Sequence, residues 1–185
     1  MAMPSHRRYL PRLRREFYQG FAIVHWTICL EDRATGWLDE RFHTRFREVM
    51  VHACARYGCV NTAYCLMPDH WHLLLAGVHD EADLYRAARF LRKHLAPALT
   101  VGTLQKQGYD HVLRQEEREQ EAFAGVCHDI LENPVGAGLC REAAEYAYSG
   151  SVIPEYPDLR IHEAGYWDLY WRIYHRLTMA GIKAT

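Results

Sequence analysis

Apolar positions along the chain recur with two periods. Residues 21–31, FAIVHWTICLE, are rich in β-branched and aromatic side chains and predict a first strand. Over 39–57, DERFHTRFREVMVHACARY, the residues Phe42, Phe46, Val49, Met50, Ala53 and Tyr57 fall on one helical stripe, and Gly58 ends it. CVNTAYCLM (59–67) predicts a second strand, Pro68-Asp69 a tight turn, and HWHLLLAGV a third strand closing a hairpin. Residues 82–98 predict a second helix with Leu84, Ala88, Leu91 and Leu95 inward, and GYDHVLR (108–114) a short fourth strand. A third helix is expected over 116–132, stopped by Asn133-Pro134.

Strand, helix, strand, strand, helix, strand is the order of the α+β, ferredoxin-like split βαβ plan. The expected fold is an antiparallel four- to five-stranded sheet with helices on one face, plus an extra C-terminal helix. The other face is then left for a ligand or a further element. Three stretches divide the chain: a basic segment (1–20), the main domain (21–151), and a tail (152–185). In the tail VIPEYPDLRI reads as an extended linker and YWDLYWRIYHRLTMAG as an aromatic amphipathic helix. Packing on the domain is expected for that helix, with a dimer contact as the alternative.

With 185 residues, 49% hydrophobic and 24% charged, the chain has the composition of a globular protein with a sizeable core. No apolar run approaches the roughly 20 residues of a membrane span. The first residues, MAMPSHRRYLPRLRREF, lack the apolar centre of a secretory signal, so a cytoplasmic location is expected. The six cysteines form no C-x-x-C pair and fall mostly in apolar patterns, which predicts buried thiols.

A net charge of −1 gives no bulk attraction to polyanions, but the distribution is uneven. Arg7, Arg8, Arg12, Arg14 and Arg15 face a single acid, Glu16, near the N-terminus. In LYRAARFLRKHL, Arg86, Arg89 and Lys93 recur at helical spacing. Both are candidate surfaces for a phosphate backbone, against the plainer alternative of solvated faces.

The third strand carries the candidate chemistry. His70 and His72, in MPDHWHLLL, alternate with Trp71 and Leu73, so both imidazoles share one face roughly 6.6 Å apart along the strand. Two neutral imidazoles held this way can close on one divalent cation. Taken alone, H-x-H equally describes two polar residues on a solvated face.

MPDHWHLLL, the basic helix, GYDHVLR and ILENPVGAGLC, in that order, resemble the HUH tyrosine transposases of bacterial insertion sequences, closest to the REP-associated branch. The resemblance spans about residues 7 to 151 and implies single-stranded or hairpin DNA as partner, with a monomer or homodimer acting on it. It implies a divalent metal, Mg²⁺ or Mn²⁺, held by His70, His72 and Asn133, and DNA contacts from Arg7, Arg8, Arg12, Arg86, Arg89 and Lys93. In such enzymes a helix tyrosine attacks the scissile phosphate and keeps a 5′-phosphotyrosine link. At that position this chain reads DILENP, so Asp129 stands in the nucleophile's place. Three expectations follow: Asp129 adds a metal ligand, making a site that binds DNA or a metal-dependent hydrolase that cleaves it with a metal-bound water; another tyrosine substitutes, Tyr109 before Tyr85, Tyr146 or Tyr148; or nicking is lost and hairpin binding kept. Trp26 and Tyr18 are candidates for stacking on unpaired bases.

Overall fold

In the computed structural model, which describes residues 12–183, five antiparallel strands form one sheet in the order β4-β1-β3-β2-β5. They are β1 (Ile23–Cys29), β2 (Cys59–Met67), β3 (His70–Gly77), β4 (Tyr109–Val112) and β5 (Ser149–Val152). The helices are α1 (Glu40–Tyr57), α2 (Leu84–Leu95), α3 (Gln120–Leu131), α4 (Asn133–Gly136) and α5 (Tyr166–Lys183). The α+β expectation holds, and the fifth strand closes the expected main domain, sharing only Val152 with the expected linker.

Local chemistry sets the boundaries. Asp39 caps α1 by accepting from the Phe42 amide at 2.7 Å, and Gly58 ends it at φ 65°, a left-handed conformation that glycine adopts without a side-chain clash. Asp83 caps α2 through the Arg86 amide at 2.8 Å. Two expected boundaries move. Glu119 is extended (ψ 144°), so α3 begins at Gln120 rather than 116. Asn133-Pro134 does not stop the chain's helical course: Glu132 stays right-handed and Pro134, which needs no amide partner in a first turn, opens α4.

Strand alternation sorts the core into two layers. Trp71, Leu73 and Leu75 of β3 join Val24, Trp26 and Ile28 of β1 against α1 and α2. The intervening positions, Leu74 and Ala76 with Ala63, Cys65 and Met67 of β2, meet Phe123, Cys127 and Ile130 of α3 and Tyr166, Tyr170 and Ile173 of α5. Each large apolar side chain so buried contributes about 1.5–3 kcal/mol. Cys54, Cys59, Cys65 and Cys127 are buried free thiols, as expected.

The tail therefore packs on the second face of the sheet. A break in register between Asn61 and Ala63 leaves Thr62 off the β2–β3 ladder. Its groups are taken up by α5: Tyr170 Oη lies 2.9 Å from Thr62 Oγ1, and Tyr166 donates to the Thr62 carbonyl at 3.2 Å. Tyr174 donates to the Gly77 carbonyl at 3.0 Å. Four residues separate Tyr166, Tyr170 and Tyr174, so one helix face presents all three hydroxyls to the sheet.

Candidate metal and nucleic-acid site

Face assignment follows from register. Thr27 of β1 pairs with His72 of β3 on one side and with Tyr109 of β4 on the other. Directly opposed residues point the same way, so His72, Thr27 and Tyr109 form a row across one face, with His25 and His111 in the next row. This is the face of α3 and α5, which cover Leu74 and Ala76 but leave His70 and His72 partly exposed.

The two imidazoles converge. His70 Nε2 and His72 Nε2 are 2.9 Å apart. His70 Nδ1 meets Asp69 Oδ1 at 2.5 Å, and the other carboxylate oxygen is 3.0 Å from Arg33 Nε. His72 Nδ1 lies 3.1 Å from His25 Nε2 and 3.3 Å from Thr27 Oγ1. Each ring is thus held at Nδ1, and in the tautomer that puts the proton there Nε2 is left with a free lone pair. Burial first, then the neighbouring His25 and His70, lowers the pKa of His72 from 6.5 to about 3. Burial, then His111, lowers that of His25 to about 4. Both rings are neutral at physiological pH, the form that ligates metal.

Two lone pairs do not face each other at 2.9 Å without a proton or a cation between them. With metal–nitrogen bonds of about 2.0–2.1 Å, cis ligands of an octahedral ion stand about 2.8–3.0 Å apart, against about 3.3 Å for a tetrahedral one. The spacing is that of an N–H···N hydrogen bond between the rings and falls also in the range of cis ligands on an octahedral divalent cation. No group of three or more His, Cys, Asp or Glu suited to a metal is gathered among the described residues.

The remaining sequence-predicted residues distribute as follows. Asn133 Nδ2 donates to the carbonyls of Asp129 (2.8 Å) and Ile130 (3.0 Å), closing the end of α3 and leaving Oδ1 as the atom able to serve a cation. Asp129 is exposed on α3, and no described contact joins its carboxylate to either imidazole. Tyr109 is 54% exposed on the imidazole face. Tyr85, Tyr146 and Tyr148 are engaged elsewhere: Tyr85 under Arg12 and Arg15, Tyr146 donating to the Leu66 carbonyl at 2.8 Å, and Tyr148 against His43.

Arg86, Arg89 and Lys93 are exposed on α2. With Arg56, Arg92 and Phe90 they line an open groove whose lining contains no acidic residue. Arg7 and Arg8 lie outside the described residues. Arg12 differs from expectation: it donates to the Gly108 carbonyl at 3.0 Å and pairs with Asp110 at 3.4 Å, so its charge is largely used within the fold. Tyr18 and Trp26 are core residues, 1% and 3% exposed, and offer no open ring face for a base.

The pattern of the sequence did not single out His25, Thr27 or Asp69. His25 and Thr27 share the alternating parity of a strand face, yet their place beside His72 depends on the β1–β3 register, which alternation alone leaves open. Asp69 reads as a turn residue, and its bond to His70 is a property of the turn's geometry.

Residues 21–99, from β1 through α2, match the family described as Transposase IS200 like. More particularly, the chain is similar to a REP-associated tyrosine transposase of Haemophilus influenzae, 25% identical over 174 residues that cover 80% of this chain and 96% of that protein. A solved REP-associated tyrosine transposase, bound to a REP hairpin, has the same fold at a TM-score of 0.62 and 18% identity, over 76% of this chain and 82% of that one. The resemblance carried by the motifs is borne out. Among the described residues no helix is long and apolar enough to cross a membrane.

Proposed function

We propose that the chain binds hairpin or single-stranded DNA and grips one of its phosphates at a divalent cation, Mg²⁺ or Mn²⁺, held by His70 and His72. The observation that carries this reading is the pair of Nε2 atoms 2.9 Å apart, each ring tethered through Nδ1. Asp69 accepts from His70 Nδ1 and so favours the tautomer with a free Nε2, while His25 and Thr27 hold His72 at Nδ1. A cation there supplies Lewis acidity to a phosphate oxygen. Asn133, whose Oδ1 is left free by the bonds of its Nδ2 within α3, would be the third protein ligand. The groove on α2 supplies the salt-sensitive, sequence-independent part of the affinity.

With Asp129 in the nucleophile's position, a phosphotyrosine link cannot form there, and binding without nicking is the favoured activity. One observation supports a second reading: Tyr109 is exposed, on the imidazole face, one strand from Thr27. Its phenolate would attack phosphorus while the 3′-oxygen departs and takes up a proton, leaving a 5′-phosphotyrosine. The test is a hairpin oligonucleotide with Mn²⁺, scored for retardation and for covalent adduct. Wild type is expected to retard the hairpin with no adduct, and Asp129→Tyr to gain one. A wild-type adduct that Tyr109→Phe abolishes would transfer the activity to the second reading. No retardation by wild type would end both.

A further inference from the structure

On the face opposite the imidazoles, α2, β1 and the loop before β4 enclose a cavity of ≈ 160 Å³, lined by Arg12, Trp26, Tyr85, Arg89, Arg92 and Lys106 among others. Two of the lining residues carry a donor that is buried without a partner among the described residues, Trp26 Nε1 and Arg92 Nη1. Arg92 Nη2 is committed, donating to the carbonyls of Gln105 and Lys106. Arg12, stacked 5.3 Å from the Trp26 ring and 5.4 Å from Tyr85, has Asp110 at 3.4 Å to balance it. Arg92 has no carboxylate partner among the described residues and feels the charge of Arg12. A half-buried cation beside another, with one N–H unpaired, is unfavourable unless an anion completes the set.

The donor inventory narrows the class of that anion. Arg89, Arg92, Lys106 and Trp26 offer N–H groups, Arg12 being engaged by Gly108 and Asp110, and of the lining side chains the Tyr85 hydroxyl alone can accept as well as donate. A nucleobase carries donors of its own, whereas a phosphate diester presents acceptor oxygens and charge. A cavity of about 150 Å³ admits a benzene-sized group, so a phosphate fits here. Gly108 keeps the space open: a Cβ there would stand 2.9 Å from the Thr27 carbonyl oxygen and 3.7 Å from Arg92 Nη1.

We propose that this cavity is a dedicated site for one backbone phosphate of the bound DNA. The inference rests on the DNA-binding reading above and adds the place where the strand is anchored. The cavity shares Arg89 and Arg92 with the groove on α2, and Gly108 in its wall immediately precedes Tyr109 on the imidazole face. A strand pinned at Arg92 and turning past the four-residue edge strand β4 is thereby led from the groove to His70 and His72.

The experiment measures hairpin affinity of the full chain against salt concentration, with an intact oligonucleotide and with a set carrying a single neutral methylphosphonate at each linkage. Arg92→Met is expected to weaken binding on the order of tenfold and to lower the salt slope by about 0.7. Trp26→Phe, which deletes the indole N–H and keeps an aromatic ring, guards against loss of fold and is expected to weaken binding several-fold. One methylphosphonate position should weaken wild type but have no further effect on Arg92→Met. Wild-type binding with neither variant altering affinity or slope overturns the phosphate site and leaves the DNA reading standing. No wild-type binding overturns both. Inorganic phosphate raising the melting temperature of wild type but not of Arg92→Met, with hairpin affinity equal in the two, assigns the cavity to free phosphate and overturns the backbone source.

Discussion

The two faces of the sheet use the same strands to opposite ends. On the α1–α2 face, Trp71, Leu73 and Leu75 of β3 are fully buried, and Trp71 sits among Trp37, Phe42 and Phe46. On the α3–α5 face, Leu74 and Ala76 are equally buried, but two residues earlier the coverage ends and the strand changes from aliphatic to imidazole. The site therefore requires no break in the sheet. Helices of limited reach leave the β3 start open, and alternation delivers polar side chains there from three adjacent strands at once. Rigidity comes from the covered face, chemistry from the uncovered end of the other.

The sharpest way to break this comparison is to truncate neighbours on one strand. Trp71→Ala removes a buried indole from the aromatic cluster and is expected to destabilise the fold by about 3–5 kcal/mol. His72→Ala, one residue on, leaves His25 and His70 each short of a partner and is expected to cost about 1 kcal/mol. It should nevertheless abolish Mn²⁺-dependent stabilisation and hairpin retention. Urea unfolding with and without Mn²⁺ reads both effects. Equal destabilisation by the two substitutions would mean that the imidazole face is core rather than site.

The same contrast explains what was legible in the sequence. Core positions announce themselves through repetition: the stripe Phe42, Phe46, Val49, Met50, Ala53 gave α1 within a residue of its observed start, and β2 was placed at both ends. His70 and His72 were legible because a single strand carries both. What needed coordinates was every relation between strands, such as His25 against His72 or Thr27 between His72 and Tyr109. The split of basic residues into structural and free was hidden for the same reason. Arg12 and Arg89 look alike in the chain, yet Arg12 meets Asp110 from a strand 98 positions later while Arg89 stays exposed. Asn133 was read from its motif, and its amide turned out to be held by α3's own last carbonyls.

Protonation provides a second, smaller probe. His25 and His72 hold folded pKa values of about 4 and about 3, and His43 on the covered face, depressed by burial and Arg47, about 4. The unfolded chain takes up protons at these groups below its ordinary value near 6.5, while the native rings stay neutral. Stability is thus fully present above pH 6.5 and falls as pH drops toward 4, by on the order of 2–3 kcal/mol for each well-buried ring. His43→Gln and His25→Gln should each flatten this dependence by about one proton. Mn²⁺ sharpens the distinction, because a cation competes with protons at His72 and not at His43. Metal-linked stability is expected to hold down to about pH 4 and to fall as pH approaches the native His72 value of about 3, in His43→Gln as in wild type. A pH-independent metal effect would remove the imidazoles from the site.

The smallest expected effect tests whether the uncovered end is organised beyond its two imidazoles. Asp69 is one residue from the β3 start, with one oxygen on His70 Nδ1 and the other on Arg33. Arg33 reaches it from a loop in which Asp32 and Arg33 both adopt positive φ, 51° and 54°, a conformation uncommon outside glycine and retained where surrounding contacts hold it. Asp69→Asn keeps the shape but replaces a charged acceptor by an amide that can present a donor to Nδ1, freeing the ring to place its proton on Nε2. That tautomer has no lone pair for a metal. Carboxylates behind metal-bound histidines typically account for 10–100-fold in affinity, so Mn²⁺ binding by titration calorimetry should weaken by about that factor. Unfolding in the absence of metal should shift by no more than about 1 kcal/mol, since the pair is partly exposed. A large loss of stability with unchanged Mn²⁺ affinity would make Asp69 a fastener of the Arg33 loop and nothing more. A loss of affinity with stability kept would extend the site one residue past the paired histidines.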